Sequence, residues 1–205
     1  MTAAPSRRVP HARGQGEQLR RELVDAAATL LARPRGVPAP SLRAVARAVG
    51  VSPAAVYLHF ASQADLVWAV LERHLDGLAA ALGAADDPAL DARERLHRGA
   101  AAYVAWGLDH PGAYQLLFES IDSLDIEGGQ DLPGDRLVEE TAQILVDGGA
   151  DRESARLAAT RVWVALHGLV SLRLHKPHQQ WPGDLVDDRR ALVDAVLATV
   201  LAPEA

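Results

Sequence analysis

The stretch "SLRAVARAVGVSPAAVYLHFAS", Ser41 to Ser62, constrains the fold of this chain more than any other. Ser41 is a good N-cap for a short helix that turns Leu42, Val45, Ala46 and Val49 inward. Gly50 ends that helix, because glycine adopts the left-handed conformation common just past a helix C-terminus. Ser52 caps the next helix, with Pro53 at its favoured first position, and Ser62 caps a third, with Asp65 at N3 as a capping-box variant. Helices this short are marginal alone in water, so neighbours must hold them at a fixed angle. The neighbour upstream is a helix from Glu17 to Ala32, with Leu19, Leu23, Ala26, Ala27, Leu30 and Leu31 at helical spacing. Two short helices, a glycine turn and a third helix behind them describe a helix-turn-helix.

In that arrangement the second short helix, Ser52 to Phe60, projects outward with Pro53, Ala54, Ala55, Tyr57 and His59 exposed. Small residues at its start let the backbone approach a groove, and Tyr57 and His59 offer O–H and N–H donors to phosphate. Its N-terminus adds a partial positive charge. This is the docking of a recognition helix in a DNA major groove. The alternative is that Tyr57 and His59 pack against the rest of the chain.

The charge distribution agrees with an anionic partner. The chain of 205 residues carries a net charge of −6, yet residues 1–60 hold nine arginines against Glu17, Glu22 and Asp25. That head therefore carries six surplus positive charges and the remainder twelve surplus negative ones. Residues 1–14 read as a mobile basic arm, 15–62 as the helix-turn-helix domain, and 63–205 as a ligand-binding and dimerisation domain. "RPRGVPAP" stops the first helix. After the Ser62 helix, with Leu66, Val67, Val70, Leu71, Leu75, Leu78 and Leu82 at helical spacing, helices are expected near 89–109, 111–120, 134–147, 152–175 and 185–201. No strand-like alternation appears, so the expected fold is all-α: a three-helix N-terminal module joined to a larger helical bundle, about nine helices in all.

The body is poor in aromatics, nine in the whole chain, which makes their placement informative. Trp106 and His110, Tyr114 and Phe118, and Trp163 and His167 are i, i+4 pairs on three helices, with Tyr103 close by. If these faces converge they line an apolar pocket with a few polar handles. Otherwise they fill the core.

The segment "LVDAAATLLA…SLRAVARAVGVSPAAVYLHFASQADLVWAVLE" resembles the N-terminal domain of TetR-type bacterial transcriptional regulators over about residues 19–72. The resemblance implies a homodimer on a palindromic operator, usually a repressor, released by a small molecule. It also implies DNA contacts at Ser41, Arg43, Ser52, Ala54, Tyr57 and His59. Where the family usually has a lysine after the fourth-helix cap, this chain has Gln63, which weakens one phosphate contact; Arg7, Arg8 and Arg13 on the arm are placed to compensate. "HPGAYQLLFES" and "RVWVALHGLVSLRL" resemble a C-terminal class named for Trp, His and Gly, here Trp163, His167 and Gly168. That class implies a dimer interface on the last two long helices. A ligand between Trp106, Tyr114, Phe118 and Trp163 would tilt the Ser62–Leu82 helix and change the spacing of the two reading heads.

Catalytic signatures are absent: no H-E-x-x-H, P-loop, G-x-S-x-G or G-x-G-x-x-G occurs. "DSLDIEGGQDLPGD" does not fit a calcium loop, and His167, His175 and His178 lack a further ligand nearby, so no metal and no cofactor is expected. With no cysteine, no disulfide framework is possible. No apolar run approaches the roughly 18 residues of a membrane span, and a cytoplasmic, nucleoid-associated protein is expected. The rival readings are a ligand-sequestering helical protein that has lost DNA binding and, weakest, a small helical enzyme.

Overall fold

Capping serines and aspartates set where the helices begin. The structure, a computed structural model, describes residues 13–31, 40–119 and 133–201. Arg7 and Arg8 of the basic arm, all of "RPRGVPAP" but Pro40, and the acidic "DSLDIEGGQD" stretch lie outside the described residues, while the last two residues assigned to the arm, Arg13 and Gly14, belong to α1. Nine helices and no strand are found among the described residues: α1 (Arg13–Leu31), α2 (Leu42–Val49), α3 (Pro53–Tyr57), α4 (Gln63–Ala85), α5 (Ala92–Asp109), α6 (Pro111–Glu119), α7 (Pro133–Asp147), α8 (Arg152–His175) and α9 (Leu185–Leu197). Three aspartates fix helix starts, two of them, at Arg152 and Leu185, where the periodicity placed them. Asp91, Asp151 and Asp184 each accept a backbone N–H from their helix's first turn, at 2.9 Å from Glu94, 3.0 Å from Ser154 and 2.7 Å from Val186. So α5 opens at Ala92 rather than near 89, and α9 closes at Leu197 rather than 201.

The described chain groups into two compact units, one through Val70 and one from Leu71, with α4 continuous through the division. In the first unit α1 packs on α2 and α2 on α3. Leu23, Val24 and Ala27 of α1 meet Leu42, Val45 and Ala46 of α2, and Val56 closes the centre. Each buried leucine or valine among them contributes about 1.5–3 kcal/mol. The Arg20 guanidinium lies over the buried Phe60 ring at 5.2 Å, a cation–π contact that shields the core's edge.

In the second unit α8 is central, packing on α5, α7 and α9. Its inner face begins with Ala155, Ala158 and Ala159, small enough for α7 to come close. Gly107 does the same on α5: a Cβ there would sit 2.8 Å from Val170 and 2.9 Å from the Tyr114 ring. Arg93 and His97 of α5 both reach Asp194 of α9, at 3.4 Å and 2.8 Å. By length and composition α8 is also the one described helix apolar enough to cross a membrane, its best window having a mean hydropathy of 1.2. Arg161 and Arg173 break it, so it holds no unbroken apolar run of that length.

Candidate nucleic-acid interface and ligand cavity

The helix-turn-helix follows from local chemistry. Ser41 Oγ accepts the Ala44 N–H at 3.2 Å, and Ser52 Oγ accepts that of Ala55 at 3.2 Å. Gly50, at φ +79°, turns the chain, and the N–H groups of Gly50 and Val51 both donate to the Ala46 carbonyl. Ser62 and Asp65 form the reciprocal box: Asp65 N–H to Ser62 Oγ at 3.1 Å, Ser62 N–H to Asp65 Oδ2 at 3.0 Å.

The outward face differs in three respects from the sequence expectation: the length of α3, the half-burial of Ala55 and His59, and the exposure of Leu58. α3 is five residues, Pro53–Tyr57, and does not run to Phe60. The N–H groups of His59 and Phe60 both donate to the Val56 carbonyl, which tightens the last turn and draws Phe60 inward. Ser52, Pro53, Ala54 and Tyr57 are exposed, while Ala55 and His59 are half-buried. Leu58, which sequence reasoning passed over, is 85% exposed: two residues beyond the buried Val56, it lies about 200° round the turn and faces the opposite side. Ser41, Arg43, Arg47 and Gln63 are also exposed. The two capping hydroxyls accept from the backbone and so keep their own O–H for an outside acceptor. Arg13 opens α1.

In the second unit, five of the seven predicted cavity residues come together. Tyr103 and Tyr114 meet edge to face at 6.0 Å, Tyr114 stacks on His167 at 5.5 Å, and Phe118 touches Tyr103, Tyr114, Trp163 and His167. The Tyr114 hydroxyl is hydrogen-bonded to that of Tyr103 at 3.0 Å and to His167 Nδ1 at 2.7 Å. Burial pushes the Tyr103 phenol up to about 12, with Tyr114 and Trp163 partly offsetting it.

Trp106 and His110 do not join this group. They stack on each other at 5.1 Å, and His110 Nδ1 bonds the Trp106 carbonyl at 2.9 Å. The indole faces α4, where a Cβ on Gly77 would lie 3.6 Å from its Nε1. The reason is rotation: three residues along a helix place Trp106 about 60° round from Tyr103. His74 of α4 is held below the ordinary imidazole range by burial, then by Arg73 and His110.

A cavity of about 440 Å³ opens between α4, α5, α7 and α8, within the range of small-molecule sites. Leu82, Leu96, Ile144 and Leu166 line it, with Tyr103 and Trp163 from the aromatic group. Tyr114, Phe118 and His167 stand behind Tyr103 and Trp163 and are not on the wall. Sequence reasoning missed the α7 wall and Arg95, whose guanidinium makes paired bonds to Asp86 at 2.8 and 2.9 Å. That hydrogen bonding holds Asp86 below and Arg95 above their ordinary ranges. Among the described residues no group of three His, Asp or Glu is arranged to hold a metal ion.

The chain is similar to known regulators at both ends. The model described as "Bacterial regulatory proteins, tetR family" matches residues 23–70, and that described as "Tetracyclin repressor-like, C-terminal domain" matches 96–200. The HTH-type transcriptional activator FasR of Mycolicibacterium smegmatis is 34% identical over 86 residues, 42% of this chain. That match spans only 39% of the curated relative's length. A TetR-like transcriptional regulator from Rhodococcus sp. RHA1 is 25% identical, with a TM-score of 0.67 over 92% of this chain and 96% of that one. The TetR family transcriptional regulator PfmR from Thermus thermophilus is 28% identical, with a TM-score of 0.63 over 86% and 97%.

Proposed function

The chain belongs to the TetR family of bacterial regulatory proteins, and from that premise we propose a cytoplasmic, ligand-responsive transcriptional regulator that binds a palindromic operator as a homodimer. The family is one of DNA-binding regulators rather than enzymes. One observation carries the reading. The first unit completes its core with Leu42, Val45, Ala46 and Val56, so the exposure of Tyr57, at 56%, serves no packing purpose in that unit. Ser41, Arg43, Ser52, Pro53, Ala54, Tyr57, His59 and Gln63 are proposed to meet DNA, with Arg7, Arg8 and Arg13 on the adjoining backbone or minor groove. Arg43 is the best candidate to read a base edge.

The dimer is proposed through α8 and α9. Leu157, Val164 and Leu172 form an exposed apolar stripe on α8, with Val186 and Leu192 exposed on α9. Gly168 lies within the α8 stripe, and a Cβ there would meet nothing within 4 Å. A bare glycine among exposed aliphatics suits close approach of a second helix. Two half-sites about 34–36 Å apart, or a multiple, then supply the contacts one helix-turn-helix lacks. Binding of a small apolar or aromatic molecule in the cavity acts on α4, whose Ala79 and Leu82 line it and whose first residue follows the Ser62 cap.

Selection of bound DNA from a random pool, followed by a salt titration on the enriched sequence, tests this. The expected result is a palindrome with a steep fall in affinity as salt rises. Tyr57→Ala should cost at least tenfold in operator affinity while the thermal midpoint and ligand affinity stay unchanged. No enrichment, with ligand binding intact, favours the sequestering protein instead. Transcription from the selected operator then reads the sign, since FasR is an activator whereas the sequence resemblance implies a repressor.

A further inference from the structure

The charged groups on the cavity wall are already committed to one another. Arg95 grips Asp86 through two bonds and lies 3.8 Å from Asp147. Asp147 also accepts Gln143 Nε2 at 2.8 Å. Arg136 holds Glu140 at 2.8 Å. These two arginines face three carboxylates, so the wall is net negative. An incoming carboxylate or phosphate therefore meets no unspent buried cation. To recruit Arg95 it must break a bidentate pair and leave Asp86 and Asp147 facing it. Arg136 is 70% exposed at the rim, where water and salt screen its charge.

At the aromatic end the two phenols are committed and one neutral donor is not. The Tyr103 hydroxyl is bonded to Tyr114, and the Tyr114 hydroxyl also to His167. Trp163 Nε1 is buried beside the Tyr103 phenol, without a hydrogen-bond partner among the described residues. These side chains offer a ligand ring surface and the single neutral Trp163 N–H donor, which carries no charge to favour a carboxylate over an ester; Leu82, Leu96, Ile144 and Leu166 add aliphatic surface, and Thr141 and Gln143 are uncharged.

We propose that the cavity takes an uncharged, ring-containing apolar molecule and discriminates against the carboxylate-bearing analogue, with Arg95 acting as a brace between α5 and the end of α4 rather than as an anion anchor. This rests on the ligand-responsive reading above and narrows its ligand class.

Two probes of nearly equal shape test it: methyl 1-naphthoate, uncharged, and 1-naphthoate, an anion at pH 7.5. Binding to the full chain is measured by calorimetry and by thermal shift, with operator affinity followed in parallel. The expected result is that the ester binds at least tenfold tighter than the acid. Arg136→Gln should leave both affinities within twofold, and Arg95→Gln should not weaken the acid selectively. The proposal is overturned if the acid binds as tightly as the ester, if either arginine variant loses acid binding alone, or if neither probe binds at 1 mM. If the ester binds but operator affinity does not change, the ligand class stands and the regulator reading fails. If the acid binds as tightly as the ester and shifts operator affinity, the reverse holds.

Discussion

Gly107→Ala opposes two effects of known size, and the structure decides between them. In a helix interior alanine is favoured over glycine by about 1 kcal/mol. At this position, however, the new methyl would lie 2.8 Å from Val170 Cγ1, 2.9 Å from Tyr114 Cδ2 and 3.1 Å from Tyr114 Cε2. The Tyr114 ring cannot swing clear: it is fully buried and its hydroxyl is bonded on two sides. Overpacking of this kind costs about 1–3 kcal/mol, and a trapped ring belongs at the upper end. The expected net loss is about 1–2 kcal/mol. For a chain of this length that lowers the thermal midpoint by about 3–6 °C. Calorimetry at matched protomer concentration measures the shift, and near-UV circular dichroism reports any displacement of the ring. A midpoint equal to or above that of the parent chain would refute the close approach of α5 to α6 and α8.

Tyr114→Phe removes the shared partner of the Tyr103 hydroxyl and His167 Nδ1, so it should cost about 2–3 kcal/mol in urea unfolding, against about 1 kcal/mol for Tyr103→Phe. Equal costs would mean that Tyr114 is not the centre of the chain of bonds. Because burial, Arg73 and His110 lower the His74 pKa from 6.5 in the fold, the unfolded chain takes up that proton first. The associated stability is complete above the unfolded value and is lost as pH falls through the folded one. Parent and His74→Gln urea midpoints at pH 7.5, 6.5 and 5.5 should therefore show the parent falling more steeply; parallel slopes would contradict the shift. Gly168→Ala meets open space, so it should gain up to about 1 kcal/mol in helix stability, yet sedimentation should show weaker self-association. A dimer unaffected by the methyl would place the interface elsewhere.

What could be read in advance was whatever the chain settles within a few residues. Ser41, Gly50, Ser52 and the Ser62–Asp65 box act over three or four positions, and their roles in the structure are the ones their types dictate. The end of α3 was misjudged because the bonds that curl His59 and Phe60 onto Val56 depend on Phe60 finding a core that α1 and α2 supply. The aromatic pairs were correctly placed on helix faces, but face alone does not say which faces meet. Tyr103 and Trp106 sit on one helix and look toward different neighbours. Arg95 lies in α5 and Asp86 just past the end of α4, on either side of a turn, and no periodicity flags such a pair. For α7 the sequence marks a helix near 134–147, and nothing local says that Leu137 and Ile144 line a cavity.

The position of α8 has a thermodynamic corollary. One face of this helix supplies Trp163 and Leu166 to the cavity, and another carries Val164 and Leu172 to the proposed partner. Occupancy of the cavity and self-association then bear on the same rigid element, and linkage makes their effects reciprocal. On the proposed dimer, a ligand that favours one association state makes ligand affinity a function of how much protein is present. A titration repeated at nanomolar and micromolar protomer should give two different apparent dissociation constants, so a regulator kept scarce in its cell would answer a different effector concentration from the same chain at the bench.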